Sequence, residues 1–253
     1  MKSIFRKLST LSGPLLLTRR DIFLTLLPAL LWALATYSRP TTLMPYCHTQ
    51  PELCSPVQVN PIDRISLGVQ NLTADAYSFT TQNTSGYIAL AAPALWSLSQ
   101  TLLGKLSPAT LVATVFTDLI LLIETTVWNG LTTEASHSLT HRPRPFVYED
   151  PIGLGANPAH YVSFYSGHTS FSSAILTAAF LILFFRKAPL PLLLLFGSLS
   201  QILIFSTGYF RVMAARHFLS DVVCGALFGA ITALIVITLH RKKTPEPTKT
   251  PKS

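Results

Sequence analysis

Long apolar stretches alternate with polar segments along the chain, and the apolar stretches contain almost no charged side chains. Each stretch is roughly long enough to cross a ~30 Å hydrocarbon layer as an α-helix. The pattern therefore predicts an all-α fold, an integral membrane bundle of about six transmembrane helices. The predicted spans are Ile22–Ser38, Gly86–Leu103, Ala109–Trp128, Thr169–Phe185, Leu190–Tyr209 and Phe218–Leu239.

These spans also define the domain organisation. We expect a basic cytoplasmic leader at residues 1–21, a six-span membrane domain at residues 22–240 and a disordered cytoplasmic tail at residues 241–253. Two long polar loops, at residues 39–85 and 129–168, connect spans on the outward side, and the inward connections are short. The first span also resembles a cleavable signal peptide. We expect it to be retained, because the basic leader before it is long for that role.

Composition supports a membrane protein and argues against two other classes. Of 253 residues, 49% are apolar and 12% are charged, whereas a disordered chain has low hydrophobicity and a soluble domain carries about twice this share of charge. The net charge is +8, and all eight lysines fall in the termini or the inward loops, as the positive-inside rule predicts. We therefore expect the membrane, and no nucleic acid, as partner. The predicted location is a bacterial plasma (inner) membrane with both termini cytoplasmic.

Cysteine placement agrees with this topology. Cys47 and Cys54 lie in the first outward loop, where an oxidising compartment permits a disulfide. Two free thiols are the alternative. Cys224 falls inside the sixth predicted span, where we expect a small buried apolar residue.

Two further features of the predicted spans bear on packing. Asp118 and Glu124 lie in the third span, where ionisable groups are costly. Six residues place them about 120° apart on a helix, so a shared site is not expected. We predict that Asp118 is structural and that Glu124 pairs with an outward cation. Gly225 and Gly229 permit close helix approach, and we expect them to pack within the bundle rather than between copies.

Three short segments rich in histidine and arginine fall at predicted outward ends of the spans. They are His137–Pro145 in the second long loop, Tyr165–His168 before the fourth span and Arg211–Asp221 before the sixth. Because all three share one side of the membrane, we expect them to form one site.

The third segment supplies a nucleophile. His217 and Asp221 lie four residues apart, so we expect the Asp221 carboxylate to accept a hydrogen bond from His217. That bond would fix the tautomer and leave the other ring nitrogen free to act as a nucleophile. Arg211 adds a permanent cation whose planar N–H groups suit a phosphoryl group.

The other two segments supply an anion site and a proton donor. Ser166, Gly167 and His168 precede an apolar helix. The first backbone N–H groups of such a helix form an anion-binding site. Arg144 adds a second guanidinium, and the imidazole of His168 can act as an acid. This set predicts phosphoryl transfer through a phosphohistidine, with no metal and no cofactor.

The order and spacing of these residues resemble the type-2 phosphatidic acid phosphatase superfamily, whose pattern is Lys-x6-Arg-Pro, Pro-Ser-Gly-His and Ser-Arg-x5-His-x3-Asp. The resemblance covers about residues 86–239 and the six-span architecture. It implies that the last histidine attacks phosphorus, the aspartate orients it and the middle histidine protonates the leaving group. Arginines and backbone amides would hold the phosphate. The matching residues are Arg144, Pro145, Ser166, Gly167, His168, Arg211, His217 and Asp221.

Three positions depart from that pattern. Tyr165 replaces its proline and Phe210 replaces its serine, and both are peripheral to the expected chemistry. His137 stands where the first lysine would be. It exchanges a permanent phosphate-binding cation for a titratable one, and we expect it to be a third contact to the phosphate.

Together these features predict an integral membrane phosphatase that acts on a lipid phosphate or diphosphate at the outward, periplasmic face. The same histidine would also serve a lipid-to-lipid phosphotransferase, and the sequence does not distinguish water from a lipid as acceptor. A small transporter or channel would instead place charges along a path through the membrane. A binding protein with a degenerate site is a third alternative, motivated by His137. The oligomeric state stays open.

Overall fold

The computed structural model describes residue 15 and residues 17–241 of the chain. Most of the predicted leader and nearly all of the predicted tail lie outside these residues. Within them the protein is helical, and the β-structure there is one isolated bridge between Leu15 and Arg241. The six long helices are α1 (Arg20–Thr42), α2 (Leu72–Leu102), α3 (Pro108–Thr140), α4 (Gly167–Phe185), α5 (Leu190–Met213) and α6 (Leu219–Leu239).

The predicted all-α membrane bundle is confirmed. Five of the six helices, all except α2, are long and apolar enough to cross a membrane. Many apolar side chains on the outer surface are exposed, such as Phe23 on α1 and Phe205 on α5, at 74% each. Large exposed apolar surfaces of this kind are typical of contact with lipid.

The two loops that the sequence predicts to face outward are shorter than predicted, because helices extend into both. The end of the bundle that carries these loops is called the outward end, after that prediction, and the opposite end is called the inward end. Helix α2 begins at Leu72, where the Asn71 side chain accepts a hydrogen bond from the Ala74 N–H. Helix α3 continues to Thr140. Hydroxyl groups along both extensions donate to carbonyl oxygens of the preceding turn, as from Ser85 to Thr81. The helix therefore satisfies the polar side chains that made these segments look like loops.

Helix α4 lies at the centre of the bundle and packs against α2, α3, α5 and α6. Its approach to α6 is close because two glycines face it. A Cβ atom at Gly225 would lie 2.7 Å from the Ser166 carbonyl oxygen, and one at Gly229 would lie 2.2 Å from that of Ser170. The predicted role of these glycines, packing within the bundle, is confirmed. Helix α1 packs mainly along α3.

A small apolar cluster in the outward loops contains the predicted disulfide. Cys47 and Cys54 are bonded, with their Cα atoms 5.6 Å apart. The Cys47 N–H donates to the Tyr161 hydroxyl at 3.0 Å, and both residues belong to one buried apolar cluster with Phe146 of the loop after α3. The disulfide thus lies against the loop that carries Arg144. Cys224 is half-buried rather than buried.

At the opposite, inward end, the two acidic residues of α3 have separate partners. Asp118 binds Arg186, with 2.5 Å between Oδ1 and Nη2. Glu124 lies beside His240 and Asp21. The prediction that Glu124 pairs with an outward cation is therefore wrong, because its position on α3 places it at the level where α1 begins and α6 ends.

Candidate active site

A cavity of about 360 Å³ opens where α3 and α4 reach the outward end. Five predicted site residues, from all three sequence segments, line it: His137, Arg144, Gly167, His168 and His217. Residues that lie up to 80 positions apart in the sequence therefore face one space.

His217 lies in the short connection between α5 and α6 and is only 2% exposed. Its Nδ1 lies 2.8 Å from the Ser163 carbonyl oxygen. Since a carbonyl only accepts, Nδ1 carries the proton and the Nε2 lone pair remains free. Burial, together with the positive charges of Arg211 and Arg144, holds the pKa of His217 well below its usual range. At neutral pH the imidazole is therefore uncharged, which is the nucleophilic form.

Asp221 does not bind His217 directly. Its Oδ2 lies 4.0 Å from His217 Nδ1, so the predicted hydrogen bond is replaced by the one to the Ser163 carbonyl. The carboxylate instead accepts hydrogen bonds from the Ser163 hydroxyl at 2.6 Å and the Phe218 N–H at 2.9 Å. Asp221 thus holds the residue whose backbone oxygen orients His217, and also the start of α6.

Behind Asp221 lies an ion-pair network that sequence reasoning missed. Arg142 binds both Asp221 and Asp63. Asp63 belongs to a 3₁₀ turn at Pro61–Ser66, and it also accepts from the Ser220 N–H and hydroxyl. Burial alone would raise the pKa of Asp63, but the hydrogen bonds from Ser220 and Arg142 lower it. The first outward loop is thereby fixed to the start of α6.

Arg211 also has a protein partner. Its guanidinium donates to Asp75 of α2 at 2.7 Å and to Ser78 at 3.3 Å, and Arg216 binds the other oxygen of Asp75. Arg211 does not line the cavity, although its charge acts on His217. Of the two predicted guanidinium contacts, the structure places only Arg144 directly on the cavity.

Arg144 and His168 both line the cavity, and each has a buried side-chain nitrogen without a hydrogen bond in the described part of the chain. Arg144 Nε and His168 Nε2 are both buried atoms that make no hydrogen bond there. The His168 ring is held by the edge of Phe79, with 4.5 Å between ring centroids. A buried donor without an acceptor is costly, so these two side chains are arranged to bind a ligand.

The beginning of α4 supplies backbone donors beside them. Ser166 caps the helix through its side chain, which contacts the Thr169 hydroxyl at 3.0 Å. Its own N–H donates to the Asp221 carbonyl oxygen, so Ser166 is a structural cap and not a donor to the cavity. The N–H groups of Gly167 and His168 are first-turn donors that a helix leaves unpaired.

His137 lines the cavity, where it lies beside Tyr165 and Glu134. Its Nε2 lies 3.2 Å from the Tyr165 carbonyl oxygen, and its Nδ1 lies 3.8 Å from Glu134 Oε2. Glu134 in turn binds Arg39 of α1, at 2.7 Å from Nε. The chain Arg39–Glu134–His137 forms one wall of the cavity, and sequence reasoning found only its last member.

Comparison with protein families matches residues 118–245 to the PAP2 superfamily. The match spans half of the chain and contains all three histidine and arginine segments. The chain belongs to the PAP2 superfamily. Its members are phosphatases, which supports a hydrolase of phosphate esters. No curated protein and no solved structure gave a significant match.

The PAP2 match begins at Asp118 and therefore leaves α1 and α2 outside. Both helices nevertheless complete the cavity, through Trp32 and Arg39 of α1 and Gln82 of α2. The predicted catalytic residues thus lie in the PAP2 region, while part of the cavity wall comes from helices in the amino-terminal half of the chain, outside the match.

Proposed function

We propose that this PAP2 protein is an integral membrane phosphatase that hydrolyses a lipid phosphate or diphosphate at the outward face through a phosphohistidine. The observation that carries the proposal is the state of His217. Its Nδ1 is committed to the Ser163 carbonyl, and the residue lines a cavity shared with Arg144 and His168. A fixed, uncharged imidazole beside unpaired cationic and N–H groups is suited to attack on phosphorus.

The reaction takes two steps. First, the Nε2 lone pair of His217 attacks phosphorus while the bond to the leaving oxygen breaks. His168 gives its proton to that oxygen from the imidazolium form, which the bound phosphate anion favours. Next, His168 takes a proton from water, the water oxygen attacks phosphorus and the phosphorus–nitrogen bond breaks. Inorganic phosphate leaves and both histidines return to their starting forms. Arg144 and the first N–H groups of α4 stabilise the charge, so this chemistry needs no divalent metal.

Two features support a lipid substrate on the outward side. The cavity wall includes Trp32 and Phe171 beside the polar groups, so an apolar chain can continue from a phosphate held by Arg144. The disulfide lies at the same end of the bundle as the cavity, and disulfides persist in oxidising compartments such as the periplasm.

Release of inorganic phosphate from a panel of lipid phosphates, by protein reconstituted in vesicles, tests the proposal. His217→Ala should lower release by at least about 10³-fold, because the covalent route is lost. His48→Ala is the control, since His48 is an exposed histidine at the same end. Near-native turnover by His217→Ala would refute the assignment. Transfer of labelled phosphate to a second lipid instead of water would identify a phosphotransferase.

The role of His168 is tested by varying the leaving group. His168→Ala should slow hydrolysis of a lipid monophosphate more than that of a diphosphate, because a leaving phosphate needs less protonation than an alkoxide. Equal losses for both substrates would contradict the role of His168 as the general acid.

A further inference from the structure

Three ionisable residues meet at the inward end of the bundle, on the side away from the phosphatase cavity. Asp21 lies in the first turn of α1, Glu124 in α3 and His240 directly after α6. All three are buried, with exposures of 3%, 2% and 5%. We propose that Asp21, Glu124 and His240 bind one divalent transition-metal cation of the Zn²⁺ class.

The two separations between His240 and the carboxylates fit a common ion. His240 Nε2 lies 3.2 Å from Asp21 Oδ1 and 3.4 Å from Glu124 Oε2, and the three atoms lie within 4.8 Å of one another. Two ligands that each lie about 2.0–2.1 Å from a tetrahedral Zn²⁺ are about 3.3 Å apart. A set of one imidazole and two carboxylates is also a common ligand set for such ions.

His240 is held in the tautomer that a metal ligand needs. Its Nδ1 lies 2.7 Å from the Val236 carbonyl oxygen, so Nδ1 carries the proton and Nε2 presents its lone pair to the carboxylates. Metal-binding histidines are commonly fixed in this way by a backbone carbonyl. Asp21 is held similarly, since both the N–H and the hydroxyl of Thr18 donate to its carboxylate.

Glu124 provides an independent observation. Its Oε2 is a buried carboxylate oxygen that accepts no hydrogen bond from any residue between 17 and 241, and it points at His240 Nε2. A carboxylate oxygen buried without a donor is strongly unfavourable. A cation at the centre of the three ligand atoms would remove that cost.

Charge balance favours a divalent ion. Two carboxylates and a neutral imidazole carry a charge of −2, and a divalent cation makes the group neutral in a low-dielectric setting. The exposed side chains of Arg20 and Arg241 make no ion pair with the three residues in the described part of the chain. An ion here would fix the start of α1 to α3 and to the end of α6, so its role is structural.

Metal analysis and thermal unfolding of the untagged full-length protein in detergent test this site. Purified without chelator, the wild type should hold about one Zn²⁺ per chain, and stripped protein should gain about 5 °C in Tm with Zn²⁺ at a hundredfold excess over Kd. Glu124→Gln and His240→Ala should lose both effects. Asp118→Asn is the matched control, because Asp118 is a buried carboxylate at the same end that binds Arg186, and it should keep both.

Failure of this site would be distinct from failure of the phosphatase proposal, because neither readout requires turnover. His217→Ala should retain Zn²⁺ as the wild type does. If the wild type holds no more Zn²⁺ than Glu124→Gln, and if its Tm does not respond to Zn²⁺, the proposal is overturned. A Tm that instead depends only on pH would then assign a shared proton to the three residues.

Discussion

Buried charge is arranged differently at the two ends of the bundle. At the outward end, each buried carboxylate of the site binds an arginine, and Arg144 and His168 remain unpaired beside the cavity. At the inward end, Arg186 binds Asp118, and Asp21 and Glu124 share one histidine. The outward end thus has an unpaired guanidinium beside an unpaired imidazole and suits an anion, whereas the inward end has excess carboxylates and suits a cation. The same kinds of side chain give opposite ligand preferences, depending on which partners the fold supplies.

The largest expected effect comes from removing the unpaired outward cation. Arg144→Ala should lower kcat/KM by about 10²–10³-fold, because Arg144 faces the cavity and developing charge on the phosphoryl oxygens would lose its main side-chain donor. Arg64→Ala is the control, since Arg64 lies at the same end and donates only to the carbonyls of Val59 and Val57. Equal activity of both variants would show that the cavity is not the phosphate site.

A smaller effect is expected at Asp221, which acts through Ser163. Asp221→Asn should lower kcat by about tenfold and leave KM nearly unchanged, because the carboxylate positions the Ser163 carbonyl and does not line the cavity. Ser163→Ala removes only the hydroxyl that binds Asp221 and keeps the carbonyl that orients His217, so its loss should be smaller. A rise in KM for Asp221→Asn at constant kcat would instead indicate direct contact with substrate.

The pH profile tests the uncharged state of His217. Because burial and the charges of Arg211 and Arg144 hold the pKa of His217 well below its usual range, the imidazole is uncharged near neutral pH, and its protonation should reduce activity only under acidic conditions. Corrected for substrate ionisation, kcat/KM should therefore not increase from pH 6 to pH 8. An increase centred near pH 6.5 would mean that the positive charges of Arg144 and Arg211 do not act on this residue in the working enzyme.

The smallest expected effect concerns His137, which lies in the cavity wall beside Glu134. His137→Lys places a permanent cation in the cavity wall. KM at pH 8 should fall by about threefold, which is the effect expected of one charge that is partly neutralised by Glu134. The variant should stay active, and its KM should depend less on pH than that of the wild type. Superimposable KM curves would remove His137 from phosphate binding.

The sequence predicted the positions of the helices well, but it predicted the ion-pair and hydrogen-bond partners of the site residues poorly. Apolar runs in the sequence located all six long helices, because a helix that crosses a membrane must be apolar over a fixed length. Five of the six meet that criterion, and α2 was located from the apolar run in its second half. Hydropathy missed the beginning of α2 and the end of α3, where hydroxyl side chains such as Ser85 bind carbonyls within the same helix. Polar composition in such a segment is compatible with either a loop or a helix.

The candidate site shows a similar limit. Short motifs located His168 and His217, because their spacing is local. The carboxylates that bind the site arginines could not be found in this way, since Asp63 lies 79 positions before Arg142 and Asp75 lies 136 positions before Arg211. The oxygen that orients His217 belongs to the backbone of Ser163, so a pattern of side-chain types along the sequence cannot predict it.

The close contact between α4 and α6 has a consequence for protein engineering. Replacing helix-interior glycines by alanine is a common route to thermostability, worth up to about 1 kcal/mol per site by helix propensity. At Gly225 the added methyl group would meet the Ser166 carbonyl, which lies two residues before His168. The substitution would push the helix of the proposed proton donor away from the helix that carries Asp221. A stabilisation library for this protein should therefore leave positions 225 and 229 as glycine.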